Sequence, residues 1–309
     1  MINRQKSRCA VLVSSCDKYE DAWIPFFHFL KKNWKECSYP IYLNTESKSY
    51  VDKDIQVTSL NCEKKGASWS TRLKKSLKRI KEEYVILLLE DFFLLNNVDQ
   101  KELDRCVSIM DNDKKVSMID FNSWLWVPTI PYCDGYVQKT QKARWLLTCQ
   151  AGIWRRKDLI RYLSSYEGPW QFEGIGTERA KLYGKKFLLS KNPNTVFTYI
   201  VDWATGYGIH EGKWLESNVE LFKKEGIEVP FEKMGFLDTS KGISPNFCPG
   251  VKKSFKWRVL YFLYGGHETE KRMPIIKQFV YLFTHPIKFF KMLGKKIYFV
   301  LKPTISPEE

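Results

Sequence analysis

The chain has 309 residues, 44% of them hydrophobic and 15% aromatic, enough for one large core or for a catalytic domain with a smaller appendage, and this composition excludes a disordered or fibrous protein. Its net charge of +15 points to an anionic partner: nucleic acid, a nucleotide-linked substrate or an acidic membrane surface. Ten of those fifteen charges fall in residues 251–303, where twelve Lys/Arg meet two Asp/Glu, so the body of the chain is nearly balanced.

Residues 9–15, CAVLVSS, form a short apolar β-branched run closed by polar residues, the pattern of a buried strand. Residues 17–34 follow with apolar side chains at helical spacing. Strands are expected at 39–43 and 55–60, then a basic amphipathic helix over 68–83 with Trp69, Leu73, Leu77 and Ile80 on one face. YVILLL at 84–89 is the near-continuous apolar run of a strand buried on both faces of a parallel sheet.

Asp99 followed by Glu102 begins a further helix ending near Asp111, and 116–121 reads as another strand. Residues 122–135, with Pro128, Pro131, Gly135, Trp124 and Trp126, read as a long aromatic loop. Residues 146–154 read as a strand leading into a helix, 171–183 as a helix, and 187–189 and 195–199 as short strands. Strands alternating with helices define an α/β domain with a mainly parallel central sheet flanked by helices. The boundary falls near 245–250, giving a catalytic domain at 1–245 and a basic, aromatic helical region at 246–309.

Eight cysteines are scattered without a C-x-x-C pair, as expected of reduced thiols in a cytosolic protein without a zinc site. There is no signal-peptide-like start and no run of about 18 apolar residues, so the expectation is neither secretion nor a membrane span.

The sharpest candidate for chemistry is Glu90-Asp91, at the carboxyl end of the most apolar strand. In open α/β sheets ligands bind beyond the strands' carboxyl ends. Two acids there need a partner or a cation, and a divalent ion bridging a diphosphate suits their hard oxygens. The alternative is that both acids merely end the strand, solvated or paired with Lys/Arg. Glu173 and Glu178 in PWQFEGIGTERA supply a second acidic site. A base that takes an acceptor proton must stand apart from the donor's metal, and partial burial beside Phe172 would raise the basicity of Glu173. Acids in an early helical turn equally serve the helix dipole.

The segments SSCDKY (14–19), YPIYLNTE (39–46), SWSTRL (68–73), LLLEDFFL (87–94), QAGIWRR (150–156) and PWQFEGIGTERA (169–180) together resemble glycosyltransferases of bacterial surface-polysaccharide loci with a GT-A-like, Rossmann-related fold. The resemblance implies a nucleotide-diphospho-sugar donor with Ser15 and Asp17 near its base or ribose and Trp69 and Arg72 flanking the nucleotide. It makes Asp91 the ligand of a divalent Mn or Mg ion and Glu90 its neighbour. In GYGIHEGKW, His210 would complete the metal shell and Lys213 would meet the diphosphate; a surface histidine in a glycine-rich loop is the plainer alternative. Phe92 follows Asp91 directly, a departure from the usual two aspartates separated by one residue. Trp124, Trp126 and Trp170 lie in loop-like sequence, where indole faces would stack on an acceptor sugar.

Residues 252–302 interleave twelve aromatics with the basic charge and read as amphipathic helices broken at His285-Pro286. Aromatics clustered as FVYLF and IYFVL suit an anionic membrane surface or a homo-oligomer interface rather than single-stranded nucleic acid; a helical subdomain packed on the core is the alternative. The expectation is therefore a hexosyltransferase acting on a lipid-linked or glycan acceptor in capsule or O-antigen synthesis, cytoplasmic and peripheral on the inner face of the cytoplasmic membrane. A non-catalytic, membrane-associated nucleotide or glycan binder on the same fold is the second reading.

Overall fold

The structure, a computed structural model, describes residues 7–62, 67–122, 127–165, 167–192, 196–199, 208–210 and 212–238. The expected boundary near 245–250, the region 246–309, and Trp124 and Trp126 lie outside the described residues.

The first half forms as its periodicity predicts. Strand β1 (Cys9–Ser14) leads through a 3-10 turn (Asp17–Ala22) into helix α1 (Trp23–Asn33). Strands β2 (Ile41–Asn44) and β3 (Val57–Ser59) follow, then helix α2 (Trp69–Arg79) and strand β4 (Tyr84–Leu89). The Ser68 hydroxyl caps α2 by accepting from the Thr71 N–H. Helix α3 (Gln100–Asn112) starts where Asp99 accepts from the Glu102 N–H, and β5 (Val116–Asp120) follows it.

The second half adds β6 (Thr129–Cys133), β7 (Tyr136–Lys139), β8 (Gly152–Arg155), α4 (Arg156–Tyr162), α5 (Pro169–Gln171), α6 (Thr177–Lys181) and β9 (Lys186–Ser190). A wide π-turn, Phe172–Gly176, joins α5 to α6. A small hairpin, β10 (Ile209–His210) with β11 (Lys213–Trp214), and α7 (Ser217–Lys224) complete the described chain.

Nine strands form one sheet in the order β3-β2-β1-β4-β8-β5-β9-β7-β6. The first four pair in parallel, β5 pairs in parallel with β9, and β8 runs antiparallel between β4 and β5. The carboxyl ends of β1, β2, β4, β5 and β9 therefore share one edge with the amino end of β8. The apolar alternation of the central strands is split between two cores. Ile86 and Leu88 join α1, α3 and α7 on one face, while Val85 and Leu87 join Leu73 and Leu77 of α2, Leu159 of α4 and Phe172 on the other. Each such fully buried aliphatic side chain contributes roughly 1.5–3 kcal/mol, and this two-sided burial explains the unbroken YVILLL run.

Three sequence expectations are corrected. The segment expected as an aromatic loop contains β6, the first strand of the β6–β7 hairpin, and its turn at Gly135 (φ +75°). Pro131 is tolerated because β6 is the last strand of the sheet, where a missing N–H leaves no ladder bond unmade. The strand expected at 146–154 is confined to β8 and is antiparallel. Residues 196–199 form no strand, because their carbonyls serve elsewhere: Thr198 accepts from the Leu95 N–H at 2.8 Å and Phe197 from the Asn122 amide at 2.7 Å. Among the described residues no helix is long and apolar enough to cross a membrane.

The α5–α6 segment is fastened by a buried ion pair. Arg179, fully buried, donates to both Glu167 carboxylate oxygens and to the Tyr162 carbonyl. Arg179→Met leaves Glu167 buried without its cation, and urea unfolding is expected to show a loss of about 3–5 kcal/mol; a loss below about 1 kcal/mol would contradict this role.

Candidate functional site

The site is built at the carboxyl edge of the sheet. Ser14 ends β1, and its hydroxyl accepts from the Trp69 indole at 2.9 Å, which draws the amino end of α2 to that edge. Ser15 is buried and accepts from the Trp23 indole at 2.7 Å. Arg72, one turn into α2 and buried, donates to the Ala67 carbonyl and to Glu46 at 3.4 Å, while its Nε has no protein partner. Asn44, at the end of β2, is fully buried with both amide atoms unpartnered.

Glu90 and Asp91 leave β4 into this crevice. Burial first, and then the Asp91 charge, push the Glu90 carboxyl well above the usual range, against the Ser15 hydrogen bond and the Arg72 charge. Asp91 is only partly buried by area, yet desolvation also raises it, opposed by the Ile209 N–H that donates to it. The Gly208 N–H donates to the Asp91 carbonyl at 2.6 Å. A Cβ on Gly208 would lie 2.3 Å from the Phe93 ring and 3.1 Å from that carbonyl, so only glycine lets the segment close on the acids. The β10–β11 hairpin follows directly, with His210 opposite Lys213; His210 is half-buried and Lys213 exposed. The fields of Glu90 and Asp91 reach Tyr19, whose hydroxyl burial and those charges push up to about 12.

Two adjacent carboxylates with raised proton affinity offer the hard oxygen donors that a divalent cation takes, and binding one would relieve the desolvation of both. Among the described residues no group of three or more His, Cys, Asp and Glu converges as a metal cage. A cation here would complete its shell from a diphosphate and water, as Mg²⁺ commonly does.

Asp17 is engaged otherwise than expected. Its carboxylate accepts from the backbone N–H groups of Glu46, Ser47 and Lys48, and from the Ser47 hydroxyl at 2.5 Å, while its own N–H donates to Glu46. Burial would raise it, but these donors hold it below its ordinary value. Asp17 thus clasps the loops after β1 and β2 rather than standing open to a ligand.

Glu173 lies in the π-turn between α5 and α6. Its Oε1 accepts from the Cys149 N–H at 2.6 Å, and the Thr148 hydroxyl also donates to it. Residues 148–151 lead into β8 at the same sheet edge, since Gly152 pairs with both Leu87 and Asp120. Burial pushes the Glu173 carboxyl up to about 7, against those two donors; Asp120 adds to the rise and Lys139 opposes it. Lys139 and Asp120 form a fully buried ion pair at 2.6 Å that the sequence reading missed. Its only signal was Asp120 closing the strand expected at 116–121. Glu178 points the other way: it is exposed, pairs with Lys181 at 2.7 Å and makes no described contact with this cluster. Trp170, 44% exposed on α5, stands three residues before Glu173, and Trp69 packs on Phe172 with ring centroids 5.5 Å apart.

No protein-family model matches the chain, and no curated protein matches its sequence. Solved structures resemble it distantly. Residues 1–349 of Staphylococcus aureus TarS share 13% identity over 61% of this chain and 59% of that one, with a TM-score of 0.40. The same protein in complex with UDP-GlcNAc shares 14% over 61% of this chain and 57% of that one, with a TM-score of 0.40. A cytidylyltransferase from Leptospira borgpetersenii shares 14% over 71% of this chain and 95% of that one, with a TM-score of 0.39. The chain thus spans under two thirds of the TarS chains it resembles.

The Glu173 carboxyl favours its neutral form in the fold, so its stabilising contribution is complete below the ordinary value of 4.5 and is lost as pH rises through about 7. Glu173→Gln does not titrate. The melting temperature of the variant relative to the native protein is therefore expected to rise between pH 5 and pH 8; a difference constant across that range would refute the raised proton affinity.

Proposed function

We propose that this chain is a glycosyltransferase of the GT-A-like class. It moves a hexose from a nucleotide-diphospho-sugar to a lipid-linked or glycan acceptor in surface-polysaccharide synthesis, at the inner face of the cytoplasmic membrane. The observation that carries this reading is a pair of acidic stations at one sheet edge: Glu90-Asp91 at the end of β4 and Glu173 beside the start of β8.

The two stations divide the work of a transfer. The amino end of α2 holds no acid in its first turn and carries Trp69 and the buried Arg72, which favours a diphosphate there. Asp91, with Glu90 beside it, would hold a divalent cation that offsets charge developing on the leaving nucleoside diphosphate; His210, on the facing hairpin, does not converge with the two acids as a third ligand. Glu173, with its affinity for a proton raised to about neutral pH, takes the proton of the acceptor hydroxyl as that oxygen bonds to the sugar carbon and the donor's carbon–oxygen bond breaks. Trp170 at the rim of the site offers the acceptor an aromatic face. The placement of Glu173 apart from Glu90-Asp91 at the same sheet edge gives a base and a donor station separate places, which favours the enzyme over a nucleotide or glycan binder.

Donor turnover is the test, measured for the native chain, Asp91→Ala and Glu173→Gln with and without Mn²⁺ across a panel of nucleotide-sugars. Native turnover should need the metal and rise with pH through about 7, where the Glu173 carboxyl loses its proton. Glu173→Gln should lose on the order of 10²–10⁴-fold in transfer while retaining donor-induced thermal stabilisation. Asp91→Ala should lose both. Equal, negligible turnover in all three would sink the enzyme reading.

A further inference from the structure

Strand alternation sets a buried ion pair on the sheet face that the segment carrying Glu173 covers. In β5, Ile119 and Phe121 belong to the core on the α1 side and Met118 to the core on the α2 side, so Asp120 faces the α2 side. Val137 of β7 packs against that same core, and Lys139, two residues on, shares its face. The Lys139 ammonium reaches across β9 to the Asp120 carboxylate at 2.6 Å, with both side chains fully out of solvent. Phe172 and Ala180 of the α5–α6 segment pack into the core of this face, with Glu173 between them in the chain.

The backbone completes the connection. Asp120 pairs with Gly152 of β8, where a Cβ would lie 2.7 Å from the end of Met118 and 3.0 Å from the Ile119 carbonyl, so the start of β8 is pressed against β5. Three residues before Gly152, the Cys149 N–H donates to Glu173 at 2.6 Å, and the Thr148 hydroxyl donates to it as well. Residues 148–152 are thus a strap between the ion pair and the carboxyl. Asp120 is held from its other side by the Asn122 N–H at 3.1 Å.

Opposite charges sealed in a core are rarely explained by stability, since an apolar pair of similar volume often serves as well or better. We propose that Asp120 and Lys139 are positioning residues for Glu173, a fixed pair of opposite charges set behind its carboxyl and fastened to it by the strap 148–152. The Asp120 charge favours the protonated form of Glu173 and the Lys139 charge the ionised one, with Asp120 the stronger. The other titratable neighbour is the buried Cys149 thiol, pushed up by burial and by the Glu173 charge. On its own segment Glu178 is exposed beside Lys181 and Arg179 is engaged with Glu167, while α2 meets the segment through the uncharged Trp69 ring. The use made of the proton rests on Glu173 as the base of the proposed transfer, but the coupling is read without turnover.

The test follows the side-chain carboxyl carbon of ¹³C-labelled glutamate by NMR from pH 5 to pH 9, with the Glu173 signal identified by its loss in Glu173→Gln. Lys139→Met leaves the Asp120 charge unopposed, so the Glu173 midpoint should rise by roughly one pH unit. Asp120→Asn removes the repulsion, and the midpoint should fall by a similar amount. Lys139→Arg keeps the cation and should restore the native midpoint. The double variant Asp120→Asn/Lys139→Met leaves no buried charge unpaired, so it folds even where a single change does not; its midpoint should fall, by less than in Asp120→Asn. Folded single variants with the native midpoint, or shifted in the same direction, would overturn the role, as would an unchanged or raised midpoint in the double variant. In transfer assays the acidic limb of the pH profile should move with the NMR midpoint; shifted midpoints without turnover at any pH would fail the transferase reading alone.

Discussion

Two neighbouring carboxylates held at the end of a strand that is apolar on both faces set the terms for everything around them. Glu90 is 7% exposed and Asp91 only partly covered, and each raises the cost of ionising the other. Proteins leave such groups in place when something compensates them, and here the permanent compensation is partial. The Ser15 hydroxyl, the Arg72 charge and the Ile209 N–H each reach one member of the pair, and none neutralises both. The remaining imbalance is the physical content of the site. On the proposed reading, a divalent cation brought by a diphosphate would relieve it.

Much of the surrounding structure serves to hold this imbalance still. Asp17 and Glu46 bind each other's backbone N–H across the loops after β1 and β2, and Glu46 continues to Arg72. Gly208 closes on Asp91 through a contact that no side chain would permit. On the far side of β8, the Lys139–Asp120 pair and the Cys149 N–H surround Glu173 with fixed charge and a fixed donor. Preorganised dipoles of this kind bias the protonation state of a carboxyl without having to move.

The strand-helix order of the first 120 residues was legible in the sequence because its helices are amphipathic over eleven or more residues and its central strands β1 and β4 are unbroken apolar runs. Ser68 and Asp99 cap α2 and α3 from within three residues. Glu90-Asp91 was legible for the same reason: a strand end marks a sheet edge. The second half was less so. The β6–β7 hairpin hid behind Pro131, which an edge strand accepts, and the carbonyls of 197 and 198 are drawn off by Asn122 and Leu95, partners over 70 residues distant in the chain. Asp17 was assigned to a ligand by resemblance, whereas four donors from 46–48 occupy it; no local pattern announces a clasp across 30 residues. Glu173 was preferred to Glu178 in the sequence for its place beside Phe172. The π-turn separates them, turning one toward the Cys149 N–H and the other to solvent beside Lys181.

The claim at the centre is that the strand-end acids are proton-loaded in the free protein and give up a proton when a metal-bound nucleotide diphosphate arrives. Calorimetric titration with Mn²⁺ and UDP near pH 6, repeated in buffers of different ionisation enthalpy, counts that proton directly. The account predicts net proton release by the native chain and less by Asp91→Asn, with little binding when Mn²⁺ is omitted. Binding that releases no proton and is the same in Asp91→Asn would contradict it.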